Sequence, residues 1–141
     1  MSRKIIVSNK QEMINLATDI AKTCKKGDII GLKGTLGAGK TFFASAFINA
    51  LSKNKTEVLS PTFNLVYSYP TPKGTVYHFD LYRIKDEEEL YNIGIEDAFI
   101  NGISLIEWPE IAKNFLKNNN YLEVQIDLKD SNSQIRLVSL T

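Results

Sequence analysis

"GTLGAGKTFF", Gly34 to Phe43, places three glycines, a lysine and a threonine between two apolar stretches. Gly34, Gly39, Lys40 and Thr41 fill the pattern G-x-x-x-x-G-K-[ST],. Small residues let successive backbone N–H groups turn inward onto phosphate oxygens, and the positive end of a following helix adds to their pull. A lysine at this position neutralises β- and γ-phosphates, and the next hydroxyl is placed for Mg²⁺. The pattern carries that meaning only between a strand and a helix. Upstream, "DIIGLKG" reads as a short buried strand. Downstream, "KTFFASAFINAL" reads as a helix over 40–51 with Phe43, Ala46, Phe47, Ala50 and Leu51 inward,. The flanks favour a nucleotide cradle over an ordinary glycine turn.

Outward from the loop, strands and helices alternate. "SNKQEMINLATDIAKTCKKGD" carries Met13, Leu16, Ala17, Ile20, Ala21 and Cys24 at helical spacing,. Ser8 and Gln11 fit a capping box, Lys22, Lys25 and Lys26 suit the negative end of the helix dipole, and Gly27 suits its stop,. Beyond Ser60, "TFNLVYSYP" and "TVYHFDLYRI" read as two paired strands turned by "PTPKG",. "DEEELYNIGIEDAFI" opens with Asp86 to Glu89, where a helix N-terminus tolerates acid; the quartet reads as a solvated first turn, with partner docking as the alternative,. "GISLIEWPE" holds a buried strand ending at Glu107, after which Pro109 starts a helix,. "YLEVQIDL" and "QIRLVSL" form a closing hairpin turned by "KDSNS",. This interleaving predicts an α/β fold: a P-loop NTPase-like three-layer α/β/α sandwich around a mixed, mainly parallel sheet.

The totals narrow the class of function. At 141 residues the chain, 1–141, reads as a single P-loop domain able to bury a core without disulfides,. Seventeen basic against sixteen acidic residues leave a net charge of +1, so no global footprint for nucleic acid or anionic membrane exists,. Any RNA contact is local or indirect. Cys24 is the lone cysteine and reads as a small buried hydrophobe in a reducing cytosol,. "MSRKIIVSNKQ" is too short in apolar residues for a signal-peptide core, and no later run approaches membrane-spanning length,. A cytoplasmic protein without membrane association is expected.

A phosphate cradle needs an acid on another strand to complete a Mg²⁺ shell. Two strands end suitably, "VYHFD" at Asp80 and "ISLIE" at Glu107. His78, the only histidine, shares a strand face with Asp80; a purely structural role is its ordinary reading,. A GTPase is disfavoured, because the only near match to N-K-x-D, "NKTE" at Asn54, precedes the acidic strands and ends in Glu. A small kinase needs an acceptor site and usually an arginine-bearing lid, whereas the chain has only Arg3, Arg83 and Arg136.

Four blocks in order resemble one family: "LGAGKT" at 36–41, "SPTF" at 60–63, "YHFDLYR" at 77–83 and "IEWPE" at 106–110. The sequence is similar to the TsaE or YjeE family, small bacterial P-loop ATPases of tRNA threonylcarbamoyladenosine biosynthesis. The loop alone is generic; "SPTF" followed by "HFDLYR" and "EWPE" is far more specific. The resemblance implies that Lys40 and the backbone of Gly37, Ala38, Gly39, Thr41 and Phe42 hold the phosphates of ATP or ADP. It also implies that Thr41 and Glu107 hold Mg²⁺, that Thr62 senses the γ-phosphate, and that Asp80 lies near the metal or attacking water. Lys40, Thr62, Asp80 and Glu107 are thus the expected catalytic set. Trp108 corresponds to the family's site-adjacent tryptophan, with a core anchor as the alternative, and Arg136 to a basic position near the nucleotide base. Two departures stand out, Thr35 where many relatives have Asp and Phe42 where many have a second Thr.

The implied activity is a Mg²⁺-dependent ATPase, slow in isolation, acting as a switch on the protein pair of TsaB and TsaD types that transfers threonylcarbamoyl to tRNA, with tRNA contacted indirectly. A small nucleoside or metabolite kinase and a nucleotide-sensing adaptor that does not hydrolyse ATP are the alternatives.

Overall fold

The computed structural model describes residues 2–117, 119–130 and 134–141. Their elements run β1 (Arg3–Val7), α1 (Lys10–Thr23), β2 (Ile29–Lys33), α2 (Lys40–Leu51), β3 (Val66–Thr71), β4 (Gly74–Asp80), α3 (Glu89–Asn92), α4 (Ile95–Asn101), β5 (Gly102–Glu107), a 3₁₀ turn (Pro109–Ala112), α5 (Lys113–Leu116), β6 (Tyr121–Leu128) and β7 (Arg136–Leu140). The strands form one sheet in the order β1-β7-β6-β2-β5-β4-β3. Its centre is parallel: β6 pairs β2, β2 pairs β5 and β5 pairs β4 in the same sense. Antiparallel pairs flank it, β3 on β4 at one edge and β6-β7-β1 at the other. Only β3 and β7 run against the rest, so the mixed, mainly parallel sheet expected from the sequence is the one observed.

The central strands are apolar on both faces because both are covered. All six residues of β5 are buried. On one face, Ala17 and Ala21 of α1 and Phe43, Phe47 and Ile48 of α2 meet Ile30, Leu105 and Val124. On the other, Leu90, Ile95 and Phe99 from α3 and α4 cover Ile29, Phe79 and Ile106. Two cores on opposite faces of one sheet make the three-layer sandwich. Fully burying a side chain such as Phe43 or Phe47 stabilises the fold by roughly 1.5–3 kcal/mol.

Local details differ from the sequence reading in instructive ways. The cap of α1 is Asn9, not Ser8: Asn9 Oδ1 accepts from Glu12 N at 2.9 Å, and Glu12 Oε1 accepts from Ser8 N at 2.8 Å. Asn9 and Glu12 share the spacing of Ser8 and Gln11, and a carboxylate suits the first turn better than an amide. At its other end α1 stops at Thr23, before Gly27, and the expected basic cluster is not what satisfies its carbonyls. Lys73, in the β3–β4 turn, donates Nζ to Ala21 O, Lys22 O and Cys24 O at 3.4, 2.6 and 2.8 Å. In α2 the buried set is Lys40, Phe43, Ala44, Phe47 and Ile48, while Ala46, Ala50 and Leu51 are half-buried. That helix is apolar nearly all round, so its periodicity does not single out one face. The acidic quartet does open a helix, with Glu89 Oε2 accepting from Lys85 N and Asp86 N, although the helix breaks at Gly94 into α3 and α4.

Cys24 is buried, and its thiol is pushed up to about 11, first by burial and then by Asp28. It behaves as a core residue, not a nucleophile. No helix among the described residues is long and apolar enough to cross a membrane. The last three residues of "KDSNS", 131–133, lie outside the described residues.

The Lys73 contact is testable because three carbonyls lose the same charged donor together, Ala21 O keeping its bond from Cys24 N. Lys73→Met keeps the apolar stem, and it should lower the unfolding free energy by about 1 kcal/mol in a urea titration. An unchanged midpoint would show that water caps α1 equally well.

Candidate functional site: a phosphate loop facing two acidic strand ends

The glycine loop leaves the end of β2, and its first glycine is required by a close approach. A Cβ on Gly34 would lie 2.4 Å from Ile126 O on β6, and its φ of 144° is in any case unfavourable for other residues,. The loop turns through a hydrogen bond from Ala38 N to Thr35 O at 3.1 Å and enters α2 at Gly39. Gly39 is left-handed, and no side chain caps the helix. An uncapped helix start behind a glycine loop presents amides and the positive end of the dipole to an anion.

Lys40 folds back over this loop. Its Nζ donates to Gly34 O at 2.6 Å and Thr35 O at 3.0 Å, and it sits 4.2 Å from the centroid of the Trp108 ring. Burial lowers its pKa, opposed by Glu107, Asp80 and Glu110. An anion drawn into the loop would relieve that desolvation by pairing with the ammonium.

The acids arrive by strand register. Asp80 and Glu107 are Cα partners at the ends of β4 and β5, and Glu107 is also the partner of Leu32 on β2. Because side chains alternate along a strand, His78, Asp80 and Glu107 all face α2. Thr41 Oγ1 donates to Glu107 at 3.2 Å to Oε1 and 3.0 Å to Oε2. His78 Nε2 lies 2.7 Å from Glu107 Oε2. Asp80 is engaged differently: Oδ2 accepts from Thr62 Oγ1 and Oδ1 from Tyr82 N, both at 3.0 Å. The structure therefore separates two acids that the strand pattern left equivalent. Glu107 goes with the loop hydroxyl, Asp80 with the "SPTF" segment.

Trp108 lies at the site, with the Tyr82 ring tilted against it at 4.8 Å between ring centroids. The alternative placement, a core anchor, is not what is seen. Trp108 and Leu65 are the non-glycine residues with positive φ among those described, at 58° and 70°. One follows Glu107 and the other closes the "SPTF" loop, so both strained positions flank the acids. Arg136 donates Nε to Ala38 O at 2.9 Å and shares a groove beside α2 with Asn9, Met13, Ala38, Gly39 and Phe42. Thr35 and Gly37 are exposed on the loop, and Thr62 is half-buried.

Three participants escaped the sequence reading in part. The bond from His78 to Glu107 rather than a role beside Asp80 depends on the β4–β5 register. Tyr82 has no local signal for its role, because its contact with Trp108 is set by the turn after β4. The Arg83 guanidinium lies over the Phe63 ring at 5.2 Å, a contact set by the "SPTF" loop.

A family model described as threonylcarbamoyl adenosine biosynthesis protein TsaE matches residues 7–137. A tRNA threonylcarbamoyladenosine biosynthesis protein TsaE of Rickettsia prowazekii is 43% identical over 92% of this chain and 89% of its own length. The protein of the same name from Aquifex aeolicus is 42% identical over 79% of this chain and 80% of its own. The crystal structure of Bacillus subtilis YdiB matches with a TM-score of 0.79 at 26% identity, over 99% of this chain and 84% of that one. With a phosphate loop at the parallel centre of its sheet and a family match across nearly its whole length, the chain belongs to the TsaE family.

Proposed function

We propose that this protein is a Mg²⁺-dependent ATPase that serves tRNA threonylcarbamoyladenosine biosynthesis as a switch on the transferase pair, in the cytoplasm. The observation that carries the reading is the Thr41–Glu107 pair at the foot of an uncapped α2. A hydroxyl and a carboxylate are the hard oxygen donors that Mg²⁺ prefers. No group of three or more His, Cys, Asp or Glu among the described residues could hold a metal alone. That fits a cation bound together with nucleotide phosphates, with few protein ligands. Thr41 and Glu107 would hold Mg²⁺, which would supply neutralisation of the phosphate charge.

The chain's own groups divide the remaining work. Amides from Gly37 to Phe42 and the Lys40 ammonium bind phosphate oxygens. The groove lined by Phe42, Asn9 and Arg136 takes the adenine end, and Phe42 contributes its backbone and ring where a second hydroxyl is lacking. Asp80 orients the attacking water, and Thr62 reports the γ-phosphate. Thr62 is already tied to Asp80, so a ligand that competes for its hydroxyl pulls on the whole "SPTF" loop. Large apolar side chains are exposed on this loop and on the two site loops: Phe63 is 83% exposed, Leu36 70% and Tyr82 54%. Movement there changes a surface suited to a partner protein. Arg83 rests on Phe63, which supports slow turnover until a partner reorders the loop,.

ATP turnover should rise at least about tenfold when the TsaB- and TsaD-type proteins are added, because assembly completes the transition-state contacts. Equal rates would contradict the switch. Labelled ATP with a metabolite pool should release phosphate without labelling an acceptor, whereas a kinase would label one. Lys40→Ala should weaken nucleotide binding about 10- to 100-fold by calorimetry, the loss of one or two charge-assisted hydrogen bonds. Glu107→Ala should lower turnover by about 100-fold or more while the protein stays folded.

A further inference from the structure

His78 has no exposed surface, yet it is polar and lies in the wall beneath the site. Its Nδ1 is buried without a hydrogen-bond partner among the described residues. Its Nε2 makes the 2.7 Å contact with Glu107 Oε2. The ring thus has one polar contact, and that contact is made to the acid facing the phosphate loop.

We propose that His78 is a positioning residue whose Nε2–H pins Oε2 of Glu107, holding the carboxylate against Thr41 so that a divalent cation meets an assembled hydroxyl–carboxylate pair. The inference rests on the reading of Glu107 as the protein carboxylate of the cation site.

Geometry makes the contact specific. Asp80 is the direct cross-strand partner of Glu107, and His78 stands two residues earlier on β4, opposite Leu105. Same-face diagonal neighbours in a sheet lie within reach of a long side chain. Glu107 reaches toward α2 and His78 approaches it from the next strand. Oε2 is shared by His78 and Thr41, and Oε1 is the oxygen His78 does not touch. Glu107 is only 3% exposed, so water cannot replace the imidazole donor at that end,. Partners that orient a metal-ligating carboxylate commonly govern metal affinity about as strongly as the ligands' own neighbours allow, about 10- to 100-fold. A role confined to packing would not need the Nε2–Glu107 contact.

The test measures binding of a fluorescent ADP analogue to the full chain, in EDTA and across a Mg²⁺ titration, with thermal melts of every variant. His78→Leu should raise the Mg²⁺ concentration at half-maximal tightening by about 10- to 100-fold, with affinity in EDTA unchanged within about threefold. His78→Gln, which keeps an N–H donor at similar reach, should stay within about threefold of wild type, and the shorter His78→Asn should behave like the leucine variant. A His78→Leu protein with a wild-type Mg²⁺ midpoint would overturn the inference, whatever its melting temperature. Should the leucine variant fail to fold, equal Mg²⁺ midpoints for the Gln and Asn variants would overturn it. A wild-type protein whose affinity ignores Mg²⁺ would overturn the cation reading itself, and it would do so before any variant is made.

Discussion

Parallel pairing of β2 with β5 and of β5 with β4 is the constraint on which the site depends. Parallel strands end on the same side of a sheet, so the glycine loop, the Asp80–Arg83 turn and Glu107–Trp108 emerge together. Open α/β sheets bind their ligands at that edge. Had β4 run the other way, Asp80 would lie about a strand length from Thr62. The register is equally strict, since a one-residue slip of β5 would turn Glu107 toward the opposite core. Burial on both faces is what fixes it: Leu105 belongs to one core and Ile106 to the other.

That constraint places four polar side chains, Lys40, His78, Asp80 and Glu107, where each is at most 5% exposed. Burying them is costly unless every charge has a partner. The partners fall into three adjacent groups: Lys40 on loop carbonyls, Glu107 on Thr41 and His78, Asp80 on Thr62 and Tyr82. Removing Glu107 would leave His78 without its one polar contact. The positive φ angles at Leu65 and Trp108 lie at the two exits from this set.

Much of this was legible in the sequence, for reasons of locality. The phosphate loop is a contiguous pattern, and the strands that carry Asp80 and Glu107 announce themselves as apolar runs ending in an acid. The pairing of the last two strands read correctly because their alternation is local too. What stayed hidden is what tertiary placement decides. Residues 3–7 hold only three consecutive apolar residues, and their role as edge strand β1 follows from pairing with β7, which no local signal gives. Lys73 caps a helix some fifty residues away in the chain. The contact between His78 and Glu107 spans 29 positions and needs the register of two strands. The shift of the α1 cap from Ser8 to Asn9 is of another kind, two equivalent spacings separated by the better acceptor at Glu12.

The central claim is that loop amides, the Thr41 hydroxyl and the Glu107 carboxylate together form a single site for a cation and a triphosphate. A crystal structure with Mg²⁺ and a non-hydrolysable ATP analogue addresses it most directly. The account predicts phosphate density against the backbone of residues 37–42, with the cation touching Thr41 Oγ1 and an oxygen of Glu107. Nucleotide bound elsewhere, or a cation coordinated without Glu107, would contradict it.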